Sequence, residues 1–207
     1  GSEMCIRDSY KIIPVVVDKS PSKDAWENEN HQRDCIMNGL WKARSNDIVI
    51  VSDVDEIPNP DTIMKNLHKL DKKRSFSLKQ KMFYYYVNLF QKGNWRGSVV
   101  SKFENMISPQ YMRSHRFKNP VRNGGWHYSY IGGKEKIITK IEGFAHRNCD
   151  VEEFKNDLHV DECLRSGKDI FKRKKKLKIV DLEGNSPDCI QEFIDKYPYI
   201  KKGGIND

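Results

Sequence analysis

The spacing of apolar and polar positions changes several times along the 207-residue chain, and each change marks an element. Tyr10-Lys-Ile-Ile-Pro-Val-Val-Val17 is rich in β-branched residues and predicts a strand. Pro14 lacks a backbone donor and places that strand near a sheet edge. Residues 1–9 are polar and aperiodic and are set aside as a scar. Asp18 to Lys23 read as a loop. From Asp24 to Ala43 the pattern turns helical, with Trp26, Cys35, Ile36, Gly39 and Leu40 as the apolar stripe and Arg33 midway. Ile48, Val49, Ile50 and Val51 run without a polar break, as expected of a central strand covered on both faces. Pro60 and Asp61 open a helix through Leu70, with Ile63, Met64, Leu67 and Leu70 on its apolar face.

The middle of the chain is strand-rich. Phe76 and Leu78 alternate with polar residues, and Met82-Phe-Tyr-Tyr-Tyr-Val87 is strongly β-prone. Val99 and Val100 mark another strand. Gly124-Gly125 predicts a turn before Trp126-His127-Tyr128-Ser129-Tyr130, and Gly132-Gly133 closes that segment. Lys134 to Phe144, Val151 to Ser166 and Asp188 to Tyr197 read as helices. Early alternation of strands with helices, then clustered strands, predicts an α/β fold with a mixed central sheet. The length suits one domain, drawn over residues 10–172 and followed by a basic C-terminal extension over 173–207.

Composition narrows the partners. No run approaches the ~20 apolar residues of a membrane span, and Cys5-Ile-Arg-Asp-Ser is too polar for a signal-peptide core. A cytoplasmic or otherwise soluble chain is expected; Golgi-type anchoring would need sequence upstream. Cys5, Cys35, Cys149, Cys163 and Cys189 form no C-x-x-C pair, which argues against a zinc site, and their odd number argues against a full disulfide framework. A net charge of +8 suits an anionic ligand. Much of the excess lies in Phe171 to Lys178, a run without interleaved aromatic residues. It reads as a solvated face or a connection, and no nucleic-acid partner is expected.

The candidate chemistry lies in Ser52-Asp53-Val54-Asp55-Glu56-Ile57-Pro58, where acids follow the apolar run and Pro58 stops regular structure. In an extended segment Asp53 and Asp55 point the same way. Such carboxylates repel unless a cation lies between them. Mg²⁺ or Mn²⁺ takes oxygen ligands and keeps positions open for a substrate phosphate. Acids after a strand also serve as ordinary caps and turns. His127 has three readings: a further metal ligand, a group that polarises or deprotonates an acceptor, or a buried structural partner of Trp126. Trp126, Tyr128 and Tyr130 either stack on sugar faces or pack in the core. His146 is a further candidate of the same kind.

Together these strings resemble glycosyltransferase family 17, the family of β-1,4-mannosyl-glycoprotein 4-β-N-acetylglucosaminyltransferase. The resemblance rests on Ser52 to Pro58, on the helix carrying Trp26 and Arg33, and on Gly125-Trp126-His127-Tyr128-Ser129, and it runs from about Tyr10 to about Lys172. It implies a GT-A-like nucleotide-diphospho-sugar transferase fold, Mn²⁺ or Mg²⁺, UDP-GlcNAc as donor, a glycan or glycoprotein acceptor, and inverting transfer. It implies Asp55 as the metal residue and Asp53 as reaching the donor ribose or the metal shell. Glu56 would stand behind them or close to the reacting sugar, and Arg33 would contact the nucleotide or diphosphate. Glu56, Glu104, Glu142, Asp150 and His127 are the candidates for the base that an inverting displacement needs. Family members carry a strand and a loop ahead of the region that begins here at Tyr10, so the fold is expected to lack its first strand. A catalytically inactive glycan-binding remnant, a basic nucleic-acid-binding protein and a metal-dependent phosphohydrolase are the competing readings.

Overall fold

A computed structural model describes residues 12–17, 22–143 and 149–203. Strands β1 (Ile48–Val51), β2 (Glu56–Pro58), β3 (Ser75–Tyr84), β4 (Leu89–Lys102) and β6 (Gly125–Ser129) line up in the order β1-β4-β3-β6-β2. Short strands β5 (Pro120–Val121) and β7 (Leu177–Ile179) pair with β3 and β4. The sheet is mixed: β3 runs parallel to β6, whereas β4 is antiparallel to both β1 and β3, and β2 is antiparallel to β6. The predicted α/β class and mixed sheet are therefore observed.

One feature of the connectivity forces the sheet to curl. β1 and β2 lie at opposite ends of the five-strand path, yet only Ser52 to Asp55 separate them in sequence. In a flat sheet those end strands would stand about 19 Å apart. A fully extended chain from Val51 to Glu56 reaches at most about 18 Å, and this one is folded back, with Glu56 N donating to Asp53 O at 3.0 Å. The sheet must bring its two ends together. Irregularities in the β3–β4 pairing between Ser77 and Lys79, and between Gln80 and Met82, supply local bending.

Helices cover the curled sheet. α2 (Pro60–Asn66) is capped by Asn59, whose side chain accepts from Thr62 N. Its Ile63 packs with Leu70, Phe76, Leu78 and Val100. α3 (Pro109–Ser114) starts at Ser108, whose hydroxyl accepts from Tyr111 N, and sets Met112 against Val49, Val51 and Val99. α4 (Lys134–Glu142) and α6 (Asp157–Ser166) bury Ile137, Ile141, Val160 and Cys163 against Met82, Tyr84, Tyr85 and Leu89. α7 (Ile190–Lys196) and the 3₁₀ turn Pro198–Ile200 place Ile194 and Ile200 against Phe83, Val87 and Tyr128. Residues beyond 173 thus share the core of the sheet.

Several expectations change. Ile48–Val51 is an end strand of the described sheet rather than a central one: Val49 and Val51 are buried while Ile48 and Ile50 face outward. Residues 12–17 form no strand, and the rest of that predicted element lies outside the described residues, as do residues 1–9, Phe144 and His146. The helix expected over 24–43 is an α-helix only at Ala25–Asp34 (α1) and continues as a 3₁₀ turn to Leu40, with no residue of its stripe fully buried. The one over 60–70 likewise turns 3₁₀ from Leu67. The helix expected over 151–166 is split into α5 (Glu152–Lys155) and α6, because Asn156 caps α6 with its own side chain. Pro58 is the last residue of β2, and the strand stops there as expected.

Substituting Ile194→Ala should destabilise the protein by about 2–4 kcal/mol, as for a buried aliphatic side chain. Urea denaturation measures it, and an unchanged midpoint would mean that α7 contributes nothing to the core.

Candidate active site

The acids that follow β1 do not lie on an extended strand. Val54 and Asp55 form a turn across the gap between the two ends of the curled sheet, and Glu56 is already the first residue of β2. The three carboxylates consequently have three different surroundings.

Glu56 points inward, its side chain fully buried. Its carboxylate accepts from Arg113 Nη1 at 3.0 Å and Nη2 at 3.1 Å, from Trp95 Nε1 at 2.6 Å, and from Ser98 Oγ at 3.1 Å. Asp53 N also donates to it, at 3.2 Å. A buried carboxylate is tolerated only with this kind of bidentate, fully hydrogen-bonded partner. Gly97 makes the approach possible: a Cβ there would lie 2.6 Å from Glu56 Oε1 and 2.0 Å from Gln80 Oε1. Gly125, at φ +119°, serves the same junction, because a Cβ would stand 2.1 Å from Ile57 O.

Asp53 borders a cleft of about 700 Å³ formed by Ile13, Val15, α1 and the strand tip. Arg33 projects into the same cleft, with Nη2 at 2.8 Å from Glu29 and 3.6 Å from Asp53 Oδ1. Arg113 Nη2 holds the other oxygen of Asp53. Burial pushes the Asp53 carboxyl above its ordinary value of 3.8; the Arg113 and Arg33 guanidiniums oppose that shift, while Glu56 and Asp55 add to it. Arg116, beside the same group, is pulled down by burial and then by Arg113. It finds no carboxylate among the described residues and donates instead to Arg113 O at 2.9 Å.

Asp55 is shifted the other way. Burial again disfavours its charge, but the hydrogen bond and charge of His127, joined by Lys140, outweigh burial and hold it well below the ordinary carboxylate range. Lys140 Nζ lies 2.6 Å from Asp55 Oδ2, and His127 Nε2 lies 3.4 Å from the same oxygen. His127 is buried on β6 directly opposite Glu56 on β2. Its ring meets Trp95 edge-on at 4.6 Å, and its Nδ1 is buried without a partner among the described residues. Lys140, on α4, also covers the ring of Tyr130 at 4.9 Å.

Asp55 Oδ2 faces His127 Nε2, and the Lys140 ammonium already sits on the same oxygen, so a divalent ion held by these two donors would have to displace Lys140. Among the described residues Asp53 shares no ion-pair partner with Asp55. Among the described residues no three His, Cys, Asp or Glu side chains converge on one metal position. The protein thus offers two donors, and a substrate phosphate would have to supply others.

Parallel strands β3 and β6 end beside this group, where open α/β sheets bind ligands. Both chains kink there through non-glycine residues in the left-handed region, Tyr85 at φ 62° and Tyr130 at φ 60°. Of the other base candidates, Glu142 and Asp150 both contact Lys155, at 3.5 and 2.9 Å, and Glu104 is exposed in the 3₁₀ turn after β4. Arg113, Trp95, Ser98 and Lys140 went unnoticed in the sequence, because no local pattern ties them to residues some forty to eighty positions away.

An α/β protein with an arginine-bearing cleft and paired acids at a strand tip is compatible with a glycosyltransferase fold. The chain belongs to glycosyltransferase family 17, whose model matches residues 6–175, starting inside the stretch set aside at the N-terminus. No curated protein and no solved structure gives a significant match. No helix among the described residues is long and apolar enough to cross a membrane.

Arg113→Met leaves a buried carboxylate without its counter-charge and should cost about 3–5 kcal/mol. Adding Glu56→Gln should recover much of that loss, and urea denaturation of the single and double variants measures both. The pH dependence of stability should separate the two aspartates. Asp55, lowered in the folded state, stabilises fully above its unfolded pKa near 3.8 and loses that contribution as pH falls toward the folded value. Asp53, raised in the folded state, gives a contribution present below 3.8 and lost as pH rises through its folded pKa. Asp55→Asn should therefore flatten the acid limb of the stability curve and Asp53→Asn should steepen it.

Proposed function

We propose that this family 17 protein is a metal-dependent, inverting N-acetylglucosaminyltransferase with a GT-A-like fold, moving GlcNAc from UDP-GlcNAc to a hydroxyl of a glycan or glycoprotein. The observation that carries this reading is the placement of Arg33 and Asp53 on one cleft at the tip of β1, with Asp55 and His127 beside it. A cleft of about 700 Å³ is ample for a nucleotide.

The roles follow from the surroundings. Arg33, held in place by Glu29, presents its guanidinium to the diphosphate. Asp53 accepts from a ribose hydroxyl. Asp55 and His127 would hold Mn²⁺ or Mg²⁺, which would supply positive charge to the leaving diphosphate. Lys140 adds a fixed positive charge at the same place and keeps Asp55 ionised before the donor arrives. Glu56 acts as a positioning residue: fully buried, it fixes Asp53 through Arg113 and through the backbone of the turn. The acceptor hydroxyl oxygen bonds to the anomeric carbon as the bond to the diphosphate breaks, and its proton passes to a base within hydrogen-bond reach.

Calorimetric titration of UDP-GlcNAc with Mn²⁺ and with EDTA tests the assignment. Manganese-dependent binding is expected. Asp55→Asn should abolish the manganese dependence, and Arg33→Ala should weaken binding by about tenfold, the value of one lost charge-assisted contact. Binding that is equal with Mn²⁺ and EDTA, and unchanged in Asp55→Asn, would overturn the metal role.

A further inference from the structure

The basic run after α6 remains without a role in donor binding. It is solvent-exposed but anchored at several points. Lys172 N donates to Asp169 O at 2.9 Å, Lys92 N donates to Lys176 O at 3.3 Å, and β7 then joins the sheet. Arg173 is seated on buried Asp169 by two hydrogen bonds, Nε to Oδ2 at 2.8 Å and Nη2 to Oδ1 at 3.1 Å. Its Nη2 also reaches Tyr84 Oη at 3.2 Å, while Nη1 has no partner among the described residues and the side chain remains 44% exposed. A guanidinium fixed on one edge and open on the other is preorganised to receive an oxyanion.

The surrounding charges are unbalanced. Lys172 pairs with Glu153 and Arg173 with Asp169, but Lys174, Lys175 and Lys176 have no ion-pair partner among the described residues. Burial and then the Arg173 charge pull the Lys175 ammonium below its ordinary value, as expected where cations are crowded. The run is also joined to the candidate active site. Tyr84, which contacts Arg173, stacks on Tyr130 at 5.7 Å, and Tyr130 lies under Lys140, the partner of Asp55. Phe171 meets the edge of Tyr130 at 5.9 Å. The aromatic wall therefore has Lys140 and Asp55 at one end and Arg173 at the other. The donor cleft draws its lining from Ile13, Arg33, Gly39 and Asp53, and none of it from this run.

We infer that Arg173, with the exposed Lys174 and Lys176 that follow it, forms an acceptor subsite for an acidic glycan, one carrying phosphate, sulfate or carboxylate groups. The inference rests on the transferase reading above for the word acceptor, and on the cation geometry for the ligand class. The subsite engages an acidic substituent away from the reacting hydroxyl and brings that hydroxyl toward Asp55. Binding energy from such a remote group raises kcat/KM for acidic acceptors over neutral ones.

The test uses the full chain and three probes of equal length: a heparin-derived oligosaccharide, a phosphorylated mannose oligosaccharide and a neutral mannose oligosaccharide. The acidic probes should bind and the neutral one should not, and whichever acidic probe binds more tightly identifies the substituent. Lys174→Glu/Lys176→Glu changes exposed side chains and spares the contacts of Arg173, so the fold should persist. It should weaken acidic-probe binding by about tenfold or more while UDP-GlcNAc binding stays unchanged. Equal binding of neutral and acidic probes, an unaffected double variant, or tighter binding of single-stranded RNA than of either acidic probe would overturn the subsite. If acidic binding persists and depends on the lysines but no UDP-GlcNAc turnover occurs with any acceptor, the transferase reading fails and the binding site stands.

Discussion

The buried charge of Glu56 is the constraint around which the rest is arranged. β2 is a three-residue strand at one end of the sheet, and hydrogen bonding to β6 alone would hold it weakly. The carboxylate ties it to Trp95 and Ser98 on β4 and to Arg113 on α3. In the order β1-β4-β3-β6-β2 those contacts reach across the curled sheet rather than to a neighbouring strand. Removing any donor leaves a desolvated anion, so the group is satisfied as a whole or it destabilises the fold. Gly97 belongs to the same constraint, because any side chain there would occupy the space of the carboxylate.

That arrangement explains why neighbouring acids differ so strongly. Asp53 and Asp55 flank a tight turn suspended between β1 and β2, and each takes the partners of its own side. Asp53 meets arginines from α1 and α3 yet is raised by burial, whereas Asp55 meets an imidazole and an ammonium and is lowered. Carboxylates with divergent pKa values two residues apart are suited to different tasks. The surplus of cations nearby, Arg116 among them, makes the region receptive to anions.

Much of the architecture could be read from local pattern. The apolar run at Ile48–Val51, the aromatic strand at Met82–Tyr84 and the helices from Pro60 and Lys134 all appear where their spacing places them, whereas the turn expected at Gly124-Gly125 is a bend at Arg122 and Asn123, with Gly125 already in β6. Pattern and structure diverge where a local signal meets a tertiary choice. Continuous apolarity at Ile48–Val51 suggested cover on both faces, but strand order decides how many neighbours a strand has. The Lys-rich run is solvent-exposed, as its composition predicts; what the pattern does not show is that buried Asp169 and Tyr84 give Arg173 a fixed seat. Asn156 divided a predicted helix because its side chain competes for backbone donors.

The sequence by itself determined the α/β class, the strand ending in acids, the segment bearing His127 and the family, because these are carried by residues adjacent in the chain. Tertiary structure alone decided which acid is buried, which meets an arginine and which meets Lys140. Those outcomes depend on side chains brought together across gaps such as Glu56 to Arg113 and Asp55 to Lys140. Alternation along an extended strand predicted Asp53 and Asp55 pointing together; the closing of the curled sheet turned the chain between them and gave each its own electrostatic surroundings.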